Sequence, residues 1–429
     1  MKLHIENFAK ISSADIEFKG LTVIAGENNT GKSTVGKILY SFYRAFSNKE
    51  MRIRRERLRS MCTAIAQGLE IEETAEIERL ILQGKSLSEI VKVELSRFWK
   101  SGAKLGMPEP DDDRADGLVK SYVSKIQPNY DYALKMVDSA YAMSIVARVL
   151  DCVFHRQYHP IFKHEGDSKL VLTVNGQENT FLLSSAQGTC RNPTNFLNKA
   201  YFISSPDVLS LVNVKDFGED ENASKYFDKY TFELVRALRA QKSLQNAAEE
   251  ERLSAKIAPI KVELDKLIRG VFVLDDDGDM ALFEEGCRQA AKAENLSMGL
   301  KYFVLLRLML ERGLLNDRDV LILDEPENHL HPQWQVILAK VLIMLRETFD
   351  LTVLITSHSQ FFVNALQRFC ISEGIAEKTE FYQSCNDVRV SGMCTFESKG
   401  VFASDILSSF NQAYDYISDM SSEFEGESK

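Results

Sequence analysis

The octapeptide Gly26-Glu27-Asn28-Asn29-Thr30-Gly31-Lys32-Ser33 decides the fold. It follows an apolar pentapeptide, Leu21 to Ala25, which reads as a short buried strand. Behind it Val35, Ile38, Leu39, Phe42 and Phe46 fall on one face of a helix that starts at about Lys32. A strand, a glycine-bounded loop and a helix in that order form a cradle for phosphate groups. The glycines let backbone N–H groups approach the anion closely, and the helix N-terminus adds partial positive charge. The pattern places Lys32 to reach the β and γ phosphates of ATP and Ser33 to bind Mg2+, with Gly26, Asn28, Asn29, Thr30, Gly31 and Thr34 completing the cradle.

Three further stretches carry chemistry. Val320-Leu321-Ile322-Leu323-Asp324-Glu325-Pro326 is an apolar strand that ends in two acids. It delivers Asp324 to the Mg2+ shell and places Glu325 to act as general base toward an attacking water. Asn295-Leu296-Ser297-Met298-Gly299-Leu300-Lys301 opens an apolar helix that is ended by Gly313. A serine hydroxyl and free N–H groups at a helix start make an anion site, although the same residues would also serve as a plain cap. Leu354-Ile355-Thr356-Ser357-His358-Ser359 puts a histidine at the end of the next strand.

These stretches occur in the order found in ABC-type ATPases. Ser297 and Gly299 match the Leu-Ser-Gly-Gly-Gln signature of that group, whereas Met298 and Lys301 depart from it. With Ile5-Glu6-Asn7-Phe8 and Pro326-Glu327-Asn328-His329-Leu330-His331-Pro332, the chain resembles the RecF/SMC/OLD-type ATPases, often described simply as AAA-family ATPases. The resemblance implies an α/β fold: an ABC ATPase head of the P-loop NTPase kind, with a mostly parallel central sheet, an antiparallel N-terminal sheet and a large helical insertion. It implies that Glu325 and His358 are catalytic, His358 as the switch that contacts the γ-phosphate. It also implies a head-to-tail dimer or higher oligomer. Each composite site would then take Gly26 to Thr34, Asp324, Glu325 and His358 from one copy, and Ser297 with Gly299 from the other. The glutamine that such families use to sense Mg2+ has no assignable counterpart.

Composition narrows the function further. A net charge of −10 argues against a general DNA-coating protein. The run Arg52, Arg54, Arg55, Arg57 and Arg59 reads as a solvated helix face, with a local basic patch as the alternative. The 7 cysteines form no C-x-x-C pair, which speaks against a zinc site and for reduced thiols in a cytoplasm. The N-terminus has no signal-peptide character, and no run of apolar residues is long enough to cross a membrane. His155 and His159 read as a structural or surface pair, and His329 and His331 as structural or interface residues.

The expected organisation is a first head segment (1–50), a helical insertion (51–165), strands returning to the head (166–215), a kinked, coiled-coil-like helical segment (216–268) and a second head segment (269–429). Pro259 is expected to kink or split the helical seam of Ile257, Ile260, Leu264 and Leu267. Asp275 to Asp279 reads as a turn and not a calcium loop. The tail is expected to hold strands around Phe381 and Val388 and a helix from Ala403 to Tyr416.

About 70 residues follow His358, with no Asp-x-Asp pair and no further histidine, so neither a TOPRIM nor an HNH nuclease is expected there. Stand-alone ATPases of this kind resemble the ATPase subunits of Septu- and PARIS-type anti-phage systems. That resemblance implies a nucleotide-switched subunit that holds a separate nuclease or TOPRIM/HNH effector and responds to DNA or another phage trigger; the insertion is expected either to dock the partner or to sense the trigger. Two alternatives stand beside it: a repair or chromosome-structure ATPase that clamps DNA, and a scaffold that binds ATP without hydrolysing it.

Overall fold

A computed structural model describes residues 1–100, 112–159, 166–184, 188–214, 228–240, 247–274 and 279–401. The strands among them are β1 (Lys2–Phe8), β2 (Ile11–Glu17), β3 (Leu21–Ala25), β4 (Ser168–Val174), β5 (Gln177–Leu183), β6 (Gly188–Arg191), β7 (Ala200–Ile203), β8 (Gly270–Leu274), β9 (Met280–Glu284), β10 (Ala291–Lys292), β11 (Val320–Asp324), β12 (Thr352–Ser357), β13 (Thr379–Asn386) and β14 (Cys394–Ser398). Eleven of them join one sheet in the order β6-β5-β4-β1-β2-β14-β13-β3-β12-β11-β7. From β13 to β7 every pairing is parallel. From β6 to β2 every pairing is antiparallel. The parallel and antiparallel parts expected from the sequence are therefore halves of a single sheet. β14 fuses them, running antiparallel to β13 and parallel to β2.

Side-chain alternation explains why β3 and β11 read as unbroken apolar runs. Leu21, Val23, Ala25, Leu321 and Leu323 enter one core, while Ile24, Val320 and Ile322 enter the other, on the opposite face. The first core is closed by the helices Met298–Glu311, Pro332–Phe349 and Gln360–Ser372, and the second by the P-loop helix Lys32–Phe46. In the antiparallel half, Asn175 and Gly176 form a two-residue turn between β4 and β5. Both have positive φ, as a type I′ hairpin requires.

The helices Lys49–Leu69, Ala75–Leu82, Leu87–Lys100 and Asp112–Lys135 share a small core of their own, which includes Ile65, Ile77, Ile90, Val119 and Ile126. The next helix, Asp138–Phe154, packs Tyr141, Ala142, Ile145 and Leu150 into the head core beneath the P-loop helix.

The strand expected around Val388 is not found. The helix Ala247–Leu264 runs unsplit through the exposed Pro259. Its seam residues Ile257, Ile260 and Leu264 are buried in this chain's own core and do not form a coiled coil. Val388 is a fully exposed turn residue, and the strand that pairs with β13 is Cys394–Ser398. Asp275 to Gly278, and the helix expected from Ala403 to Tyr416, lie outside the described residues.

Gly36 fixes how closely the P-loop helix approaches the sheet. A Cβ there would lie 2.9 Å from Ile322 Cγ2 and 3.0 Å from Phe202 Cε2. Gly36→Leu is expected to destabilise the fold by about 1–3 kcal/mol through overpacking. Chemical denaturation checks this, and an unchanged midpoint would show that the helix can lift without cost.

Candidate nucleotide-binding site

Gly26 to Gly31 leave the C-terminal end of β3 and turn into the Lys32–Phe46 helix. Gly26 has φ 149, and a Cβ there would fall 2.1 Å from Ser384 Oγ on the neighbouring β13. Gly31 adopts the left-handed conformation at the helix start. Thr30 Oγ1 bonds the carbonyl of Glu27 at 2.8 Å and pairs with Ser384 Oγ at 2.7 Å, which pins the loop from behind. Among the described residues the N–H groups of Gly31, Lys32 and Ser33 donate to no protein acceptor. That leaves a row of free donors at a helix N-terminus, which fits a phosphate ligand. Asn28 and Asn29 are exposed, and Asn29 Oδ1 accepts from Lys10 Nζ at 2.6 Å. Ser33 and Thr34 are half-buried in the first turn of the helix, and Thr34 N donates to the Gly31 carbonyl at 3.1 Å.

Lys32 is 4% exposed, and its Nζ donates to the carbonyls of Gly26 and Glu27 at 3.0 and 2.6 Å. Burial lowers its pKa, opposed by the nearby carboxylates of Glu325, Asp324, Glu327 and Glu27. Its Nζ lies 3.9 Å from Glu325 Oε1.

The acids come from the end of β11. Thr356 Oγ1, on the paired β12, donates to Asp324 Oδ1 at 2.6 Å and accepts from Glu325 N at 3.1 Å. Glu325 has φ 49, an uncommon conformation for a non-glycine residue, and Asn328 Nδ2 donates to its Oε2 at 3.0 Å. His358 Nδ1 stands 3.4 Å from Glu325 Oε2 and 3.8 Å from Glu327 Oε1. Glu327 is buried, and its Oε1 accepts from Ser357 Oγ at 2.6 Å and from His358 N at 3.1 Å. Burial raises the Glu327 pKa, only partly offset by those bonds. Lys32, Asp324, Glu325 and His358 thus converge on one edge of the parallel sheet.

Ser297 and Gly299 stand apart from this cluster in their contacts. Ser297 is exposed, and among the described residues its hydroxyl accepts only from Leu300 N, at 3.3 Å. Gly299 is buried where the chain after β11 crosses the helix, and a Cβ there would lie 3.0 Å from Leu330 Cδ2 and 3.1 Å from the His329 carbonyl. Lys301, which departs from the signature, turns inward to Asp207 at 2.7 Å and Ser210 at 2.9 Å. His331 caps the Pro332–Phe349 helix through Nδ1, which accepts from Gln333 N at 3.3 Å. His155 contacts Asp228 at 3.0 Å, and no group of potential metal ligands forms among the described residues.

Residues 128–364, more than half of the chain, match a family described as "AAA domain, putative AbiEii toxin, Type IV TA system". The chain belongs to this AAA-domain family. Residues 1–143 match a second family, described as "AAA ATPase domain". Solved structures similar to this AAA-domain protein include an SMC head domain from Thermotoga maritima, with 14% identity, 92% of this chain and 97% of that chain covered, and a TM-score of 0.36. Another is an Smc head domain with an extended coiled coil, bound to the C-terminal domain of ScpA and derived from Pyrococcus furiosus, with 11% identity, 98% of each chain covered and a TM-score of 0.36. No helix among the described residues of this AAA-domain protein is long and apolar enough to cross a membrane.

The sequence does not mark Thr356, Glu327 and Ser384, which hold the cluster together. Thr356 and Glu327 lie beside His358 and Glu325, but nothing local marks a hydrogen bond that forms only when β11 and β12 pair. Because its folded pKa is raised, the Glu327 carboxyl stabilises the fold below the ordinary value of 4.5, and that contribution is lost as pH rises through the raised value. Glu327→Gln is therefore expected to gain melting temperature relative to the natural protein as pH rises from about 5 to about 8. Thermal melts across that range test this, and a difference independent of pH would show that Glu327 is not held above its usual range.

Proposed function

We propose that this AAA-domain protein binds Mg·ATP between two head-to-tail copies, hydrolyses it, and uses the change between open and closed assemblies to control a separate nuclease effector in anti-phage defence. The observation that carries the reading is the convergence of Lys32, Asp324, Glu325 and His358 at the ends of three adjacent parallel strands, beside free N–H groups at a helix start. Bound ATP supplies a phosphoanhydride bond, and Mg2+ neutralises charge on its phosphates. Gly31, Lys32 and Ser33 would hold the phosphates, and Ser33 and Asp324 the metal. Lys32 would leave the carbonyls of Gly26 and Glu27 to do so. Glu325 would take the proton of the attacking water, steadied by Asn328 and His358. The exposed Ser297, at the start of an apolar helix, would meet the phosphates held by the second copy. Closure around nucleotide would give the two assemblies different free energies, which a switch requires. The helical insertion, with a core of its own, is the natural docking element for the effector.

Two experiments test this. With Mg·ATP, Glu325→Gln is expected to form a stable dimer and Lys32→Ala is expected to form none, as read by light scattering. One nucleotide-independent assembly shared by both variants and the natural protein would overturn ATP-driven closure. Thr356→Val is expected to lower Mg2+ affinity or ATP turnover roughly 10–100-fold, the effect of losing a partner of a metal-binding carboxylate. Unchanged turnover would remove Asp324 from the metal shell.

A further inference from the structure

A second cleft lies at the other end of the P-loop helix. Arg44 is 12 residues beyond Lys32, which places it about 18 Å along the helix axis. The cleft has a volume of about 510 Å3 and is lined by Arg44, Arg52, Arg55, Arg59, Arg148 and Lys229. These residues come from the P-loop helix, the helix after it, the Asp138–Phe154 helix and the helix Lys229–Arg239. So many cations around one concavity are unexpected in a chain of net charge −10. Two acids accompany them, and both are engaged. Glu56 takes two hydrogen bonds from Arg148, at 3.1 and 2.5 Å, and Glu233 pairs with Arg44 and Lys229. Arg55 is exposed and has no ion pair among the described residues, and Arg44 Nε is buried without a hydrogen-bond partner. The arginine run that reads as a solvated face in the sequence is in part the wall of this cleft.

A pocket of about 240 Å3 adjoins the cleft and shares Arg44, Ser47 and Arg52 with it. Tyr40, Tyr43, Tyr201, Phe202 and Tyr230 line that pocket, none more than 7% exposed. Guanidinium groups match phosphate oxygens in geometry and charge, and an aromatic pocket takes a flat, largely apolar ring. We propose that this paired cavity is a second nucleotide site, which takes a nucleoside di- or triphosphate with its base among the tyrosines and its phosphates on the arginines. The combined size suits a small ligand. Six cations stand against two acids, Glu56 and Glu233, so a surplus of positive charge supplies the counter-charge and binding needs no divalent cation. A nucleic-acid strand fits less well, because the rings are buried in one pocket and not displayed as a platform for successive bases.

Cys152 lines the cleft and is exposed, and Cys287, also exposed, does not line it, so the two thiols give a local readout with an internal control. Lys32→Ala protein in EDTA, in which the P-loop is disabled, is treated with a maleimide, and labelling is followed at each cysteine by mass spectrometry. ATP and ADP are expected to slow labelling of Cys152 and not of Cys287. Adding Arg55→Glu and Arg59→Glu is expected to weaken that protection by at least about tenfold, the loss of one charge-assisted hydrogen bond or more. Arg54→Glu, the same charge change on an exposed neighbour that does not line the cleft, is expected to leave it intact. Equal protection of both thiols, none at either, or protection that survives Arg55→Glu with Arg59→Glu would overturn the proposal. Tripolyphosphate protecting as well as ATP would reduce the cleft to an anion site without a base pocket. An oligothymidine strand protecting at lower concentration than ATP would make it a nucleic-acid surface.

Discussion

Asp324 and Thr356 are register partners on adjacent parallel strands, and the hydrogen bond between their side chains sets the geometry of the whole site. On its other side β12 pairs with β3, which places Ser357 opposite Ala25. Three chain segments therefore leave the sheet at the same level: the P-loop after Ala25, the acids at Asp324 and Glu325, and His358 after Ser357. The loop is tied to that level by Gly26 N, which donates to the Ser357 carbonyl at 3.3 Å. A slip of one residue in either pairing would turn Thr356 to the opposite face and separate the acids from the lysine. The large apolar cores on both faces hold the register and so serve the chemistry indirectly. Ligand sites at the carboxyl ends of parallel strands are a general outcome of this architecture.

The parts legible in the sequence are those whose geometry is local. A strand, a glycine loop and a helix follow one another in Leu21 to Phe46, and the apolar run into Asp324 and Glu325 states both the strand and its end. The illegible parts depend on distant partners. Ser384 supports Thr30 from 354 residues away, and β14 joins the halves of the sheet through pairings with β2 and β13. The seam of Ile257, Ile260 and Leu264 shows a different ambiguity. A helix facing its own core and one facing another helix repeat apolar residues at nearly the same spacing, so the pattern fixes the face but not what covers it.

The electrostatics of the two cavities differ in a way that bears on what each can bind. Around the P-loop, Asp324, Glu325 and Glu327 face a single buried lysine, and the fold already disfavours charge on both Lys32 and Glu327 through burial. Bare phosphates entering there would meet more negative charge than positive. On the reading proposed for this site, a divalent cation would reverse that balance, so the free amides at the helix start and the metal would act together and nucleotide binding would be tied to metal binding. At the far end of the same helix the balance is opposite. Six cationic side chains stand there against two acids, so a phosphate group would find its counter-charge built into the protein. The P-loop helix thus has free N–H donors at its N-terminus and cationic side chains around its C-terminal turn. The helix dipole favours an anion only at the first of these, so at the second the arginines must overcome the partial negative charge of the helix end.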